Sequence, residues 1–219
     1  MASNEHSHPL FARYYAWACP RMEKVGYGAR RAQLLAGIGG RVLEVGAGNG
    51  MNFGHYPPEV VAVLAVEPEP HLRALAEARA TEASVPVEVV AGTADDLPAA
   101  AGSFDAVVVS LVLCSVADVP AALAEMRRVL RPGGELRFFE HVRASTPGLA
   151  RVQRVLDATI WPALGAGCHA HRDTRRAIEA AGFTITDLAE LRIPETGIPS
   201  PTSPHILGTA TVTGQRVAG

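Results

Sequence analysis

The chain has 219 residues, of which 20 are basic and 22 acidic, and its formal net charge is −2. A domain commonly contains about 100 to 200 residues, and an α/β domain somewhat more, so this length predicts one domain with a sizeable core and no second domain. The nearly balanced charge, without a basic stripe, argues against nucleic acid as a partner. Three scattered cysteines are too few for a disulfide framework, and we expect them to be reduced thiols.

No segment of the sequence has the pattern of a secretory leader or a membrane span. Residues 1–9 lack a cationic start followed by an apolar core, and no unbroken apolar run reaches about 18 residues. We therefore expect a soluble, cytoplasmic protein without a membrane anchor, present as a monomer or a homodimer.

Residues 8–36 carry aromatic and basic side chains and predict one or two helices, broken near Pro20. Four aromatic residues fall within one short stretch: Phe11, Tyr14, Tyr15 and Trp17. They form either a patch that faces the core or part of a lid that closes over a ligand cleft. In the second case, Tyr14 and Tyr15 are the expected substrate-binding residues.

Residues 41–50 (RVLEVGAGNG) predict a strand and the loop that follows it. The apolar residues are typical of a strand buried on both faces, and glycines at alternate positions let a ligand approach the loop closely. The spacing differs from the Gly-x-Gly-x-x-Gly of dinucleotide sites, and an acid at position 44 repels phosphate. Such an acid suits a cationic nucleoside, for which S-adenosylmethionine is the obvious candidate. The predicted cofactor-binding residues here are Glu44, Gly46, Ala47, Gly48 and Gly50.

A second acid, Glu67, follows the next predicted strand, residues 60–66, and lies 21 residues after Gly46. An acid in this position hydrogen-bonds both hydroxyls of an adenosine ribose, so we assign Glu67 and the adjacent Pro68 to the cofactor site. The alternative is that the glycines form a plain tight turn and that Glu67 is a surface carboxylate.

A helix over residues 69–83 and a strand over 85–90 lead to the loop 92–98 (GTADDLP). Loops at the carboxyl ends of parallel strands commonly hold the remainder of a ligand. We place the adenine there, beside Thr93, with its ring nitrogen and exocyclic amine paired to the Ala94 backbone and the Asp95 carboxylate. The alternative is a solvated turn, because acids are common in turns.

Residues 104–110 predict a central strand, and the segment 111–116 (LVLCSV) follows it at the edge where the methyl group of an S-adenosylmethionine ligand is expected. Ser110 and Leu111 are therefore predicted cofactor contacts, and Cys114 is a predicted substrate contact. The alternative for Cys114 is that it packs as a small apolar residue.

A helix capped by Asp118 is predicted to run to about residue 130, and a strand over 135–139 follows it. Glu140 and His141 come directly after this strand. Because the ends of parallel strands meet at one edge of a sheet, both side chains are expected to face the same cleft.

Residues 147–166 predict a helical insertion, and a glycine-rich turn covers 165–173. Trp161 in the insertion and Cys168 in the turn are predicted substrate contacts. The chain then predicts a helix over 174–181 and two strands, over 183–191 and 206–213, that pair as an antiparallel edge hairpin around a proline-rich loop.

Together these segments resemble the class I S-adenosylmethionine-dependent methyltransferases over about residues 41–213. A closer likeness, to the small-molecule thiol S-methyltransferases of the methyltransferase-like group, rests on NF at 52–53 with YPP at 56–58, LVLCSV at 111–116, VLRPGG at 129–134, EHV at 140–142, VLD at 155–157, GC at 167–168 with Arg172 and Thr174, and PHI at 204–206. Many methyltransferases share VLRPGG, whereas LVLCSV and the Gly-Cys pair are more particular.

The resemblance implies a Rossmann-like α/β fold with a seven-stranded, mostly parallel sheet, an antiparallel edge hairpin and helices on both faces. It divides one domain into a helical lid (1–40), a cofactor-binding core (41–142), a substrate-shaping insertion (143–181) and the edge hairpin (182–219). It also implies methyl transfer from S-adenosylmethionine to a small-molecule thiol, with S-adenosylhomocysteine as product. The same fingerprint serves O-, N- and C-methyltransferases, and a binding module without turnover is a further alternative. Animal members are membrane-anchored in the endoplasmic reticulum, and we expect no such amino-terminal anchor here, so that localisation does not carry over.

Three histidines are candidates for the base that deprotonates the acceptor: His141, His169 and His171. His141 ranks first because a strand end fixes it, whereas the other two lie in the glycine-rich turn. The alternative for His141 is a histidine that satisfies a backbone carbonyl. Cys168, His169 and His171 could also form half of a metal site, but their spacing leaves tetrahedral coordination incomplete, so we predict no metal.

Overall fold

The computed structural model describes residues 9–196 and 200–212. The helices are α1 (Pro9–Met22), α2 (Gly28–Leu35), α3 (Pro70–Ala80), α4 (Val119–Val129), α5 (Pro147–Asp157), α6 (Trp161–Leu164) and α7 (Thr174–Ala180). The strands are β1 (Gly40–Val45), β2 (Val60–Val66), β3 (Val87–Val90), β4 (Phe104–Ser110), β5 (Leu130–His141), β6 (Phe183–Arg192) and β7 (Pro204–Val212). Within these described ranges, no helix is long and apolar enough to cross a bilayer.

The seven strands form one sheet in the order β3-β2-β1-β4-β5-β7-β6. The first five run parallel to one another, and β7 and β6 add an antiparallel edge. This arrangement confirms the predicted Rossmann-like fold class. The strand order reverses direction between β1 and β4, and in open α/β sheets ligands bind beside the carboxyl ends of the strands at such a point.

Helices cover both faces of the sheet, and each face has its own apolar core. On one side Leu43 and Val107 pack with residues of α4, and on the other Val42 and Val108 pack with Leu34 of α2. These four residues show that neighbours along β1 and β4 point to opposite faces of the sheet, and all four are buried. Strands with two buried faces explain why these segments read as continuous apolar runs.

The amino-terminal segment forms two helices, as predicted, and the first ends at Met22, two residues after Pro20. Pro20 lies inside α1, close to the end of that helix, and the change of direction comes in a π-helical turn, Glu23–Tyr27. Gly26 in this turn has φ of 121°, a conformation that residues with a Cβ rarely adopt. A proline removes one helical hydrogen bond, and here the glycine supplies the larger backbone change.

Two further predictions of element bounds need correction. Strand β5 begins at Leu130, not residue 135, because Leu130 pairs with Phe104 before a register shift. The predicted helix over 147–166 is divided into α5 and α6. Asp157 is the last residue of α5, and its carboxylate accepts hydrogen bonds from the backbone N–H groups of Ala170 and His171. These bonds hold the glycine-rich turn against the end of the helix.

Candidate functional site

Most of the predicted cofactor-binding residues lie at the carboxyl edge of the parallel strands. The loops after β1, β2, β3 and β4 all leave this edge, and β5 delivers its last residues there. An open cavity of about 640 Å³ lies elsewhere, at the strand beginnings, where Arg41, Val87 and Phe104 line it. Ligands of α/β sheets bind at the carboxyl edge, so we place the site there.

The glycine loop is tied to β2 by its own backbone. Gly46 and Ala47 donate to the carbonyl of Val66 at 2.8 and 3.1 Å. Gly46 and Gly50 have positive φ, and added Cβ atoms would lie 2.6 Å from Val112 and 2.7 Å from the Phe53 ring. Only glycine fits at these two positions, which explains their place in the pattern.

Glu44 lies beneath this loop, and only 2% of it is exposed. Its carboxylate accepts hydrogen bonds from Asn52 Nδ2 at 2.9 Å and from the Tyr56 hydroxyl at 2.7 Å. Burial raises the pKa of Glu44 to about 7, although both partners and the nearby Arg31 act to lower it. A direct contact between Glu44 and the cofactor stays a prediction, since neighbouring side chains engage both of its oxygens.

Arg31 connects the amino-terminal helices to the cofactor edge. Its Nη1 donates to Asn52 Oδ1 at 2.9 Å and to Ser110 Oγ at 3.1 Å, and its Nε donates to Glu23 at 2.9 Å. The residue is 4% exposed, and a buried guanidinium requires such partners. Ser110, a predicted cofactor contact, is thereby part of a network that also reaches Glu44.

Glu67 follows β2, and both of its oxygens accept from backbone groups. Oε2 accepts from Gly48 N at 2.8 Å and Oε1 from Glu69 N at 2.9 Å. Burial raises the pKa of Glu67 in spite of these bonds. Glu67 therefore holds the glycine loop against β2, beside Pro68, whose carbonyl accepts from Arg73. Its contact with a ribose stays a prediction.

The loop after β3 lies at the same edge, as predicted for an adenine-binding segment. Thr93 forms an isolated bridge with Asp96, and Ala94 packs against the core. Asp95 is exposed, so its carboxylate is open to solvent. The pairing of adenine with Ala94 and Asp95 stays a prediction.

The segment after β4 is held from two sides. The Glu140 carboxylate accepts from the backbone N–H groups of Val112, Leu113 and Cys114 at 2.9, 3.0 and 3.3 Å. Burial raises the pKa of Glu140, and these donors act against that rise. Leu111 enters the segment with φ of 61°, a strained conformation for a residue with a side chain. The three hydrogen bonds to Glu140 hold the backbone in this strained conformation.

Cys114, His141 and Cys168 meet beside this segment and form what we call the sulfur–imidazole cluster. One ring nitrogen of His141 and the two sulfurs all lie within 4.8 Å of one another, and His141 Nε2 is 2.9 Å from Cys168 Sγ. Cys114 and His141 are buried and Cys168 is partly exposed. A hydrogen bond with Cys114, together with burial, raises the pKa of the Cys168 thiol well above its usual range.

His205 and Tyr27 lie against one side of the cluster. Nδ1 of His205 is 2.8 Å from the Ser203 carbonyl, and its Nε2 is 3.2 Å from the Tyr27 hydroxyl. Burial lowers the pKa of His205 to about 4, so the ring is neutral, donates from Nδ1 and accepts from the tyrosine. Burial also raises the pKa of Tyr27 to about 12. Both residues are therefore fixed, neutral neighbours of the cluster.

The other two candidate bases do not join the cluster. The His169 side chain is 39% exposed, with Nδ1 3.7 Å from Asp157 Oδ2. The His171 backbone donates to the same carboxylate at 2.9 Å, and burial lowers the pKa of its ring. Trp161 lies nearer to the cluster than these two histidines do. An added Cβ at Gly165 would contact both the Trp161 indole and Cys168.

Tyr14 and Tyr15 point in different directions from α1. The side of α1 that carries Tyr14 is exposed, with Tyr14 at 62%, and its ring lies 6.1 Å from that of Trp17. Tyr15 reaches the glycine loop, because an added Cβ at Gly48 would lie 3.4 Å from its ring. The structure thus brings Tyr15, and not Tyr14, to the cofactor edge, and substrate binding by either stays a prediction.

Several residues that build the site were not predicted from the sequence. They are Arg31, Asn52, Tyr56 and Arg172, the last of which donates to the carbonyls of residues 113 and 116 at 2.6 and 2.7 Å. Their partners lie from 8 to 79 residues away along the chain, so residue spacing alone does not identify these contacts. The short motifs around positions 52, 56 and 172 were the available signal.

Comparisons with known proteins agree with this geometry. A family model described as a methyltransferase domain matches residues 43–138. Thiol S-methyltransferase TMT1B from Homo sapiens is 40% identical over 182 residues, which cover 80% of this chain and 73% of that protein. The ubiquinone/menaquinone biosynthesis C-methyltransferase UbiE from Dinoroseobacter shibae is 36% identical over 131 residues, 57% of this chain and 52% of that protein. A SAM-dependent methyltransferase from Thermotoga maritima, 22% identical, superposes with a TM-score of 0.66 over 92% of this chain and 97% of that one, which shows the fold.

Proposed function

The chain belongs to the class I S-adenosylmethionine-dependent methyltransferases, and on this premise we propose that it methylates the sulfur of a small-molecule thiol. The observation that carries the choice of a thiol is the sulfur–imidazole cluster beside the segment after β4, in a chain 40% identical to a thiol S-methyltransferase. S-adenosylmethionine is the methyl donor.

The residues at the ends of β1 and β2 fit this cofactor. Asn49 Oδ1, buried in the glycine loop, has no hydrogen-bond donor among the described residues, although buried acceptors are normally satisfied. It can accept from an ammonium or a hydroxyl of the ligand. S-adenosylmethionine, when bound, supplies an activated methyl group on a sulfonium. We assign its charged end to the loop above Glu44, its ribose to Glu67 and its adenine to residues 93–95.

The chain's own residues then position and activate the acceptor. The thiolate is the nucleophile, and an ordinary thiol of pKa about 8.5 is only a few per cent ionised at pH 7. In our proposal His141 Nε2, which lies beside Cys168, raises that fraction by taking or sharing the thiol proton. Glu140 and Arg172 fix the segment that carries Cys114, so the acceptor can be held in line for displacement.

The surroundings of the cluster favour a small acceptor with an apolar body. Trp161 and Cys168 flank one side, and Tyr27 and Leu111 are partly buried apolar neighbours of the core behind it. Such a lining gives little to recognise a charged group. We assign Trp161, Cys114 and Cys168 as acceptor contacts.

A mixed panel of thiols, phenols and amines tests the proposal most directly. Incubation with S-adenosylmethionine and mass spectrometry of the products should reveal S-methylated thiols. A quinone-type acceptor belongs in the panel because of the C-methyltransferase relative. Exclusive O-, N- or C-methylation would contradict the thiol assignment, and cofactor binding without any product would favour a binding module.

A further inference from the structure

We propose that Cys114, His141 and Cys168 bind a zinc ion and that the fourth position of the ion is open to the sulfur of an acceptor thiol. The ion-binding part stands on the cluster alone. The assignment of the fourth position rests on the proposed function.

The donor atoms are spaced for a tetrahedral ion. Bonds of about 2.3 Å to sulfur and about 2.1 Å to nitrogen place two sulfurs about 3.8 Å apart and a sulfur and a nitrogen about 3.6 Å apart. In the structure all three donors lie within 4.8 Å of one another. His141 Nε2 and Cys168 Sγ, at 2.9 Å, must separate by about 0.7 Å. Side-chain rotations supply shifts of this size.

Each donor is held by a separate part of the fold. The backbone of Cys114 is fixed by Glu140, and its carbonyl accepts from His169 N at 2.8 Å. His141 is the last residue of β5 and pairs with residue 205 of β7. Cys168 lies in the turn that closes on Trp161. Because the three ligand residues are already held in place, less conformational entropy is lost when an ion binds.

The neighbours leave the ion with three protein ligands. His205 and Tyr27 hydrogen-bond each other, the His169 ring lies 3.7 Å from Asp157, and among the described residues only Cys114, His141 and Cys168 bring donor atoms together here. Two thiolates and one imidazole form a soft donor set that suits zinc, and three protein ligands with one exchangeable position are typical of catalytic zinc sites. Cys168 is only partly buried, so the open position has a route to solvent.

Such an ion would change the role of His141 from base to ligand. When a thiol R–SH takes the fourth position, the water held there leaves and one zinc–sulfur bond forms, while the S–H bond breaks and its proton goes to solvent, with no change of oxidation state. The coordinated sulfur is then a thiolate at neutral pH. Nδ1 of His141 is buried and lacks a hydrogen-bond partner among the described residues. Because such a partner commonly improves affinity by about 10-fold to 100-fold, we expect weaker binding than in a fully supported site.

The experiment uses the full chain, reduced with a phosphine and freed of metal by a chelator. Zinc should bind at one ion per chain, and cobalt(II) should give a sulfur-to-metal charge-transfer band and the strong visible bands of tetrahedral coordination. Cys114→Ser, Cys168→Ser and His141→Gln should each weaken zinc binding by at least about 10-fold, since each removes a ligand. Cys19→Ser is the matched control, because Cys19 is a buried free cysteine in α1, outside the cluster.

Alkylation of the wild type provides a test that needs no variant. Zinc should slow the alkylation of Cys114 and Cys168 but not that of Cys19, measured by peptide mass spectrometry. Absence of stoichiometric binding, equal binding by the cluster variants, or a disulfide between Cys114 and Cys168 that persists after phosphine treatment would overturn the proposal.

The two proposals fail in different ways. Zinc binding without thiol methylation would leave the metal site standing and reject the proposed function. Thiol methylation at an undiminished rate by metal-free protein would keep the function and reject the open position, leaving His141 to act on the thiol directly. A small aliphatic thiol that alters the cobalt spectrum would support the open fourth position, and an unchanged spectrum at saturating thiol would reject it.

Discussion

Glu44 should make the stability of the protein fall as pH rises from about 4.5 to about 7. The unfolded chain ionises a glutamate near pH 4.5, whereas burial keeps Glu44 protonated in the native state up to about pH 7. Between these values the native state binds more protons, so the free energy of unfolding decreases with rising pH. The difference of about 2.5 pKa units corresponds to about 3 kcal/mol, and the near-complete burial of Glu44 leaves little solvent screening.

Glu44→Gln isolates this contribution, because an amide does not titrate. Urea unfolding of both proteins at several pH values from 4.5 to 8 should give curves whose difference changes by about 3 kcal/mol over this range. A difference in the free energy of unfolding that stays the same at every pH would reflect altered hydrogen bonds to Asn52 and Tyr56. If the variant keeps the wild-type slope, Glu44 does not titrate in this window and the argument fails. The affinity of the wild type for S-adenosylmethionine should also rise through pH 7, since a cation favours the ionised carboxylate, and this rise should be absent from the variant.

Three further predictions concern the glycine loop and the acceptor site. Glu67→Gln should weaken S-adenosylmethionine binding by about 1 to 3 kcal/mol, measured by isothermal titration, because a charged acceptor is lost. Glu69→Gln is its control, since Glu69 caps α3 through Leu72 N and should affect stability without lowering cofactor affinity. Gly50→Ala should lower stability by about 1 to 3 kcal/mol more than Gly102→Ala in denaturant unfolding, because both have positive φ but only the first Cβ meets a ring; equal losses would contradict the steric argument. His141→Ala should slow methylation of ordinary thiols by about 10²-fold to 10⁴-fold and shift the pH profile alkaline, whereas an acidic thiol should largely restore the rate; equal losses on both thiols would exclude a role in deprotonation.

The sequence was informative wherever the signal was local. The acid followed by alternate glycines at 44–50, Asp118 before a helix and the apolar runs of the parallel strands are all local patterns, and the structure confirms the elements that they predict. The Asp118 side chain accepts from Ala121 N at 2.9 Å, as a helix cap should.

The sulfur–imidazole cluster could not be predicted in this way. Its members are separated by 27 residues or more in the chain, and the topology brings them together. Spacing along the chain points to neighbouring residues as metal ligands, and it therefore grouped Cys168 with His169 and His171. Arg31 was missed for the same reason, because its partners at positions 52 and 110 lie in other elements.

Residues 112–114 are attached to Glu140 through their backbone. The path of the main chain in this segment therefore does not depend on which side chains it carries. The three hydrogen bonds use backbone N–H groups, which every residue except proline provides, and the acceptor belongs to another strand. Side chains along this segment can therefore be exchanged during evolution while its backbone keeps one course. A family built on this anchor can diversify its acceptors by point substitution, without first having to remodel a loop.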